Sequence, residues 1–389
     1  MNDHMRLAEL EEPMILFAQE LIRIRSYSGC EQEIAVFVKR QMERLGYDDV
    51  KIDEMGNVIG RIGEDRDPAI LLDSHMDTVE VKDGACWTKP PFGGEIHDGR
   101  LYGRGAVDMT SALAACVFAG AAARERFIDS GKTAYVTCSV CEECCDGEAL
   151  RYILQQGAVH PSSVLICEPS GNQIMLGHKG KMQTFIISHG VSAHGATPQY
   201  GKNAVYEMAG IIERVAELNA LLQADGDKGS VTLSNIFCTS ASPNAVPDSC
   251  SIRLDRRLAW GETEQNVIEE MEALVRGKQA SWVYDEIKMK SWTGCELCYK
   301  PLHLAWQIAN DHPFTQTCLS AYRNAFSNVN PSYGYWDFST NAVAPISLGI
   351  PTIGFGPGEP AAAHTSEESC SVSDIIDAFR FYTALLALI

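Results

Sequence analysis

Five residues able to bind a metal each lie at the end of an apolar run: His75, Asp108, Glu143, Glu168 and His364. Apolar runs that end in polar residues are the mark of buried strands in a mainly parallel sheet whose carboxyl ends carry function. AILLDSH (69–75), AYVTCSV (134–140) and VLICEP (164–169) all fit that description. The Ala-rich stretch 110–124 and GEALRYILQQG (147–157) fall between them as helices. Strand, helix, strand, helix, strand predicts an α/β class with a mainly parallel sheet flanked by helices. Two more helices are expected ahead of it, over 5–25 and 30–45, with Gly46 just past the second. The Pro- and Gly-rich segment from Asp83 to Leu101 predicts a long loop with a short hairpin around His97–Gly99.

The pattern changes near His178. KMQTFIISHG is a longer, partly alternating strand, and a strong helix follows over 201–221. VTLSNIFCTS and DSCSIRLDRRL read as strands, ETEQNVIEEMEALVR as a helix and SWVYDEIKM as a last strand. The order βαββαβ is that of a ferredoxin-like α+β unit, spanning 180–292. Beyond it, 301–312 reads as helical, 326–344 as a polar aromatic loop, and 371–389 as an amphipathic helix. The larger unit is therefore discontinuous, 1–179 plus 293–389, with the smaller one inserted. A chain of 389 residues is long enough for two cores.

Composition narrows the partners. Lys plus Arg number 32 against 51 Asp plus Glu, a formal charge of -19, which disfavours nucleic acid and anionic membrane surfaces. No apolar stretch reaches the ~18 residues of a membrane span, and the acidic, amphipathic start lacks the pattern of a signal peptide. Fourteen scattered cysteines then point to free thiols in a reducing cytoplasm.

Taken one at a time, the five residues have ordinary explanations. His75 and Asp77 could be a surface loop, Asp108 a helix N-cap, and Glu142–Glu143 a solvated loop end. Glu168 could cap a strand, and His364 could sit in solvent. Jointly they fit a dinuclear centre, with His75 and Glu168 on one metal, His364 and Glu143 on the other, and Asp108 between. Asp77 could accept from the second ring nitrogen of His75 and fix its tautomer. Two adjacent buried carboxylates repel each other, and a cation offsets that for one of them. The other, Glu142, can then serve as general base toward a water that the metal acidifies. Zinc suits this mix of N and O donors best, and cobalt or manganese would also be accommodated.

At this point the chain resembles the M20 metallopeptidase/deacylase family, which includes acetylornithine deacetylase, succinyl-diaminopimelate desuccinylase and carboxypeptidase G2-like enzymes. The segments SHMDTV (74–79), YGRGAVDM (102–109), the Glu pair 142–143 and CEP (167–169) carry the likeness. So do VSAHGATP (191–198), SPNAVPD (242–248) and AAAHTSEE (361–368). WTKPPFGGEI, GHKGK, DRRLAWGET and WDFSTNA look most like the YgeY-type branch. The resemblance implies a phosphorylase/hydrolase-like zinc exopeptidase catalytic domain with an inserted dimerisation or lid domain, hence a homodimer. It implies the ligand set above with Asp108 bridging, a cis bond after Asp108, Glu142 as general base and Asp77 orienting His75. It also implies that His194 reaches the partner subunit's site to stabilise the oxyanion, and that Asn244 and Arg256 hold the substrate, with Arg257 adjacent to the latter. Cys141, Cys144 and Cys145 depart from the pattern, standing where many relatives carry Asp or Gly.

The expected activity is metal-dependent hydrolysis of the amide bond of a small N-acyl amino acid with a free carboxylate. Alternatives are a dipeptidase or aminoacyl peptidase of the same family, a thiol hydrolase built on the clustered cysteines, and a non-catalytic, metal-binding dimer. Glu142 argues against the last, since it has no evident structural duty beside a complete ligand set.

Overall fold

The computed structural model describes residues 3–64, 69–82, 84–156, 159–224, 229–327 and 329–389; Asp83, the first residue of the predicted long loop, lies outside them. The apolar runs become the middle of a nine-stranded sheet. Ala69–His75 runs parallel to both Thr133–Ser139 and Ser163–Ile166, and Thr352–Gly354 continues the parallel set beside Ser163–Ile166. Register matters here. His75 stands opposite Ser139 and Asp73 opposite Ile166, so the strands finish at one rim. The residues that follow, Glu142, Glu143 and Glu168, are delivered to that same rim.

These strands are buried on both faces, which is why they read as continuous apolar runs. Ile70, Leu72, Ala134, Val136 and Leu165 face one core, which they share with Phe17, Phe118 and Phe379 of helices Asp3–Arg23, Thr110–Ser130 and Val372–Leu386. The alternate residues Ala69, Leu71, Tyr135, Val164 and Ile166 face a second core with Leu150 and Ile153 of Glu148–Gln155. Gln32–Arg44 ends as expected at Gly46, whose φ of 81° places it in the left-handed region that glycine tolerates. The predicted hairpin forms from Glu95–His97 and Arg100–Tyr102. Among the described residues no helix is long and apolar enough to cross a membrane.

The βαββαβ segment forms its own antiparallel sheet, in the order Ser230–Thr239, Ser249–Leu258, Gly180–His189, Ala280–Tyr284. Helices Ala204–Ala224 and Glu264–Val275 pack with it around a separate core. The two sheets meet at a narrow neck. Trp306 pairs with His178 on the large sheet, and His303 pairs with Lys181 on the small one. The chain thus enters and leaves the inserted unit through adjacent strands.

Four expectations need correction. SWVYDEIKM is not one strand: Ala280–Tyr284 joins the inserted sheet, whereas Ile287–Lys290 pairs with Glu296–Tyr299 and sends Met289 and Trp292 against the large core. Residues 301–312 are not helical; they supply Leu302–His303 and Trp306–Gln307, and the helix is Pro313–Ala325. The apolar residues there alternate at 302, 304, 306 and 308, a period of two, and Pro313 fits the first helical position, where its missing N–H costs nothing. The aromatic loop contains an edge strand, Tyr333–Trp336, and a short helix, Val343–Ser347.

The fourth correction concerns Arg256. Burial alternates along Ser249–Leu258, so Arg256 points inward with Cys250, Ile252, Leu254 and Leu258. Its guanidinium is buried against Glu270, at 2.9 Å from both carboxylate oxygens, and against Glu262. It is a core ion-pair residue of the inserted unit and does not face the rim of the large sheet. Replacing it by alanine strands two glutamates with no counter-charge. Arg256→Ala should therefore cost about 3–5 kcal/mol of stability, read by denaturant unfolding, with divalent-metal affinity unchanged in the folded fraction.

Candidate metal centre

His75 ends its strand with the ring turned toward the rim. Its Nε2 lies 2.9 Å from Asp108 Oδ1, 3.6 Å from Glu168 and 4.0 Å from Glu142. His364 arrives from the far end of the chain on a backbone with φ 63°. Its Nε2 lies 3.2 Å from Asp108 Oδ2 and 3.1 Å from Glu143. Asp108 thus offers one oxygen to each histidine, and the pairs His75–Glu168 and His364–Glu143 flank it. The bond between Asp108 and Met109 is cis.

Each carboxylate is held by backbone design. Glu368, fully buried, accepts from the N–H groups of Gly105 (3.0 Å), Val107 (3.0 Å) and Asp108 (3.2 Å) through Oε1, and pairs with Arg104 through Oε2. That carboxylate gathers the GRGAVD loop and presents Asp108. Gly105 is required there: at φ 89° a Cβ would also press within 2.9 Å of Thr78. Asp77 works on two sides. Its carbonyl oxygen lies 2.8 Å from His75 Nδ1, with its carboxylate farther off at 3.5 Å. The carboxylate instead accepts from Glu142 N (3.0 Å), Glu143 N (3.1 Å) and Ser28 Oγ (2.6 Å). Asn341 completes the support: its amide donates to Asp73 and Ser139, both at 2.8 Å, and accepts from Gly147 N at 2.8 Å. It ties two strand ends to the turn that carries Glu142 and Glu143.

The electrostatics are those of a cation site. Burial, then the facing Glu168, pushes Glu142 well above the usual carboxylate range. Burial, then Asp108, does the same to Glu168 and raises Glu143. Burial alone would raise Asp108 too, but hydrogen bonds from His364 and His75 hold it below its ordinary value. The bond to Asp108, then that to Glu143, lifts His364 to about 10. Two ligand groups, His75–Asp108–Glu143 and His75–Glu142–Glu168, each bring their donor atoms within 4.8 Å of one another. Mixed imidazole and carboxylate donors, with four buried carboxylates repelling one another, fit divalent cations such as zinc, cobalt or manganese.

A cavity of about 320 Å³ opens onto this cluster, lined by Glu142, Glu143, Glu168, Lys181, Arg257 and Phe338 among others. Arg257, not Arg256, is the arginine here. Asp255 holds it through Nε (2.7 Å) and Nη2 (3.1 Å). Lys181 stands opposite Arg257 in the strand register and bonds both oxygens of Asp146, at 2.9 and 3.1 Å. His194 and Asn244 do not line the cavity. They sit together on exposed loops of the inserted unit, where Gly195 N donates to Asn244 O at 2.6 Å. Cys144 and Cys145 turn away toward Met289, at 3.1 and 3.4 Å.

Sequence reasoning missed the residues that support the ligands. Glu368 is one of two consecutive glutamates, with nothing local to separate it from its exposed neighbour Glu367, and Asn341 lies in a stretch that reads as loop. The arginine choice was legible: period-two alternation with Ile252 and Leu254 assigns position 256 to the core.

Lifted to about 10, His364 carries a proton at neutral pH that a cation must displace. Binding of Zn²⁺ or Co²⁺ should therefore release protons and tighten as pH rises through the neutral range. Calorimetric titration in two buffers of different ionisation enthalpy checks the sign; proton uptake would contradict these assignments.

Known proteins resemble this chain in sequence and fold. The profile of peptidase family M20/M25/M40 matches residues 71–388. The uncharacterised protein YgeY of Escherichia coli K12 is 36% identical over 388 residues, 97% of this chain and 94% of that protein. Succinyl-diaminopimelate desuccinylase of Corynebacterium glutamicum is 29% identical over 385 residues, 95% and 94% of the two chains. Among solved structures, the YXEP protein of Bacillus subtilis, described as a dinuclear metal-binding peptidase of the M20 family, superposes with a TM-score of 0.67 at 15% identity and 98% coverage of both chains.

Proposed function

The chain belongs to peptidase family M20/M25/M40 and is a metallohydrolase of amide or peptide bonds; within that class we propose a deacylase that cleaves the amide bond of a small N-acyl amino acid. The observation that carries this is the division of labour in the Glu pair. Both line the cavity, but Glu143 bonds His364 at 3.1 Å, whereas Glu142 stands 4.0 Å from His75. We assign His75 and Glu168 to one divalent cation, His364 and Glu143 to a second, and Asp108 to both. The dinuclear description of the Bacillus subtilis protein supports that count, and zinc is the favoured metal.

Cations held there acidify water and polarise a carbonyl. Glu142 takes the proton of the attacking water and returns it to the departing amine. Its burial suits the task, because it raises the carboxylate's proton affinity. Asp77 fixes His75 through its carbonyl and both glutamates through its carboxylate. Arg257, braced by Asp255, takes the role first expected of Arg256 and clamps the substrate carboxylate. The desuccinylase relative and the free carboxylate this clamp would read favour deacylation; a dipeptide is the alternative substrate.

A homodimer through the inserted unit is part of the proposal. Strand Ser230–Thr239 forms the edge of its sheet, with Ile236 50% and Phe237 48% exposed. His194 and Asn244 lie on the same unit, away from their own cavity, and we assign them to the partner's site, His194 as oxyanion donor. The fourteen cysteines, all free thiols, fit a cytoplasmic setting.

Glu142→Gln should lower kcat by ~10²–10⁴-fold with metal content unchanged, assayed on N-acetyl and N-succinyl amino acids beside dipeptides. Near wild-type turnover by this variant would remove the mechanism. Arg257→Ala should raise KM for substrates with a free carboxylate and leave their C-terminal amides unaffected. If His194 acts across the dimer, mixing His194→Ala with Glu142→Ala protein should recover activity that neither has alone; no recovery on subunit exchange would place His194 elsewhere.

A further inference from the structure

Glu31 is a fully buried carboxylate that the mechanism does not use. It occupies the N-cap position of helix Gln32–Arg44 yet makes no capping bond, although a helix start is where its charge would be favoured. Its side chain instead crosses to the metal centre. Oε1 accepts from Cys141 N at 3.0 Å, from the Cys141 thiol at 3.4 Å and from Gly29 N at 2.9 Å. Among the described residues Oε2 has no hydrogen-bond partner, and it lies beside the like-charged Asp77. Burying a carboxylate oxygen unpaired is costly, so the contact with Cys141 must return something.

Cys141 sits at φ 57°, in the left-handed region that a residue with a Cβ avoids by about 1–2 kcal/mol. It is the reversal that takes the chain out of strand Thr133–Ser139 and into the glutamate pair. The next two N–H groups, of Glu142 and Glu143, go to Asp77. Three consecutive amides thus converge on two carboxylates, one from residue 31 and one from residue 77. We infer that Glu31 is a positioning residue: by bonding Cys141 it holds the left-handed turn that aims Glu142 at the cavity and Glu143 at His364. This rests on the roles proposed above for the two glutamates.

The test compares Glu31→Gln, Glu31→Ala and the double variant Glu31→Ala/Cys141→Gly in the full chain. It reads Co²⁺ affinity by visible absorption, kcat and KM on the best N-acyl amino acid, and thermal unfolding. Glutamine keeps the acceptor, so E31Q should stay within about twofold of wild type. E31A should lose about 10–100-fold in Co²⁺ affinity or kcat, with KM unmoved. Glycine takes φ above zero without support, so adding C141G should recover most of that loss. Unchanged kcat and Co²⁺ affinity in E31A, or no recovery in the folded double variant, would overturn the proposal. Failure of both alanine-bearing variants to fold would overturn it as well, by marking Glu31 as structural. If wild type hydrolyses no acyl amino acid or dipeptide, the proposed activity fails, while the Co²⁺ titrations still decide the positioning.

Discussion

Mutual repulsion among buried carboxylates is the constraint around which this molecule is arranged. Asp108, Glu142, Glu143 and Glu168 crowd one rim of the large sheet, with two histidines as their nearest cationic groups. No chain would converge these groups from apolar strand ends by packing alone. Holding them requires a rigid frame. The parallel register of Ala69–His75, Thr133–Ser139 and Ser163–Ile166 supplies it by ending three buried strands together.

Around that frame, further carboxylates act as backbone clamps. Glu368 collects three N–H groups of the Asp108 loop, and Asp77 collects those of both glutamates. A carboxylate accepting several N–H bonds is well suited to this, because each charge-assisted bond is stronger than a neutral one. The supporting acids add negative charge to a site already rich in it. They therefore deepen its preference for cations while fixing its geometry.

The cluster of proposed ligands was legible in the sequence because each of these residues follows a buried strand or a glycine-rich loop, and those patterns are local. The inserted βαββαβ unit was legible for the same reason. Residues 301–312 read as helical, yet their apolar side chains alternate at 302, 304, 306 and 308, the period of a strand. Arg256 was favoured over Arg257 on likeness, although strand periodicity argued the other way. The clamps were not legible. Glu31 reaches Cys141 across 110 positions and Glu368 reaches Asp108 across 260, and nothing near either glutamate encodes its partner.

The neck between the two sheets has a consequence for how such a chain can vary. Entry and exit are neighbours, Trp306 opposite His178, so everything between them is one long closed excursion. The entropy of closing a loop grows only with the logarithm of its length, about 0.6 kcal/mol per doubling. Lengthening or exchanging the inserted antiparallel sheet and its helices, with the Met289–Trp292 segment that packs on the large core kept, therefore perturbs the fold of the large sheet little. The proposed ligands His75, Asp108, Glu143 and Glu168 precede the neck and His364 follows it, so none travels with the insertion. The cation-binding rim and the groups proposed on the inserted unit, Arg257 and His194, can then be inherited separately.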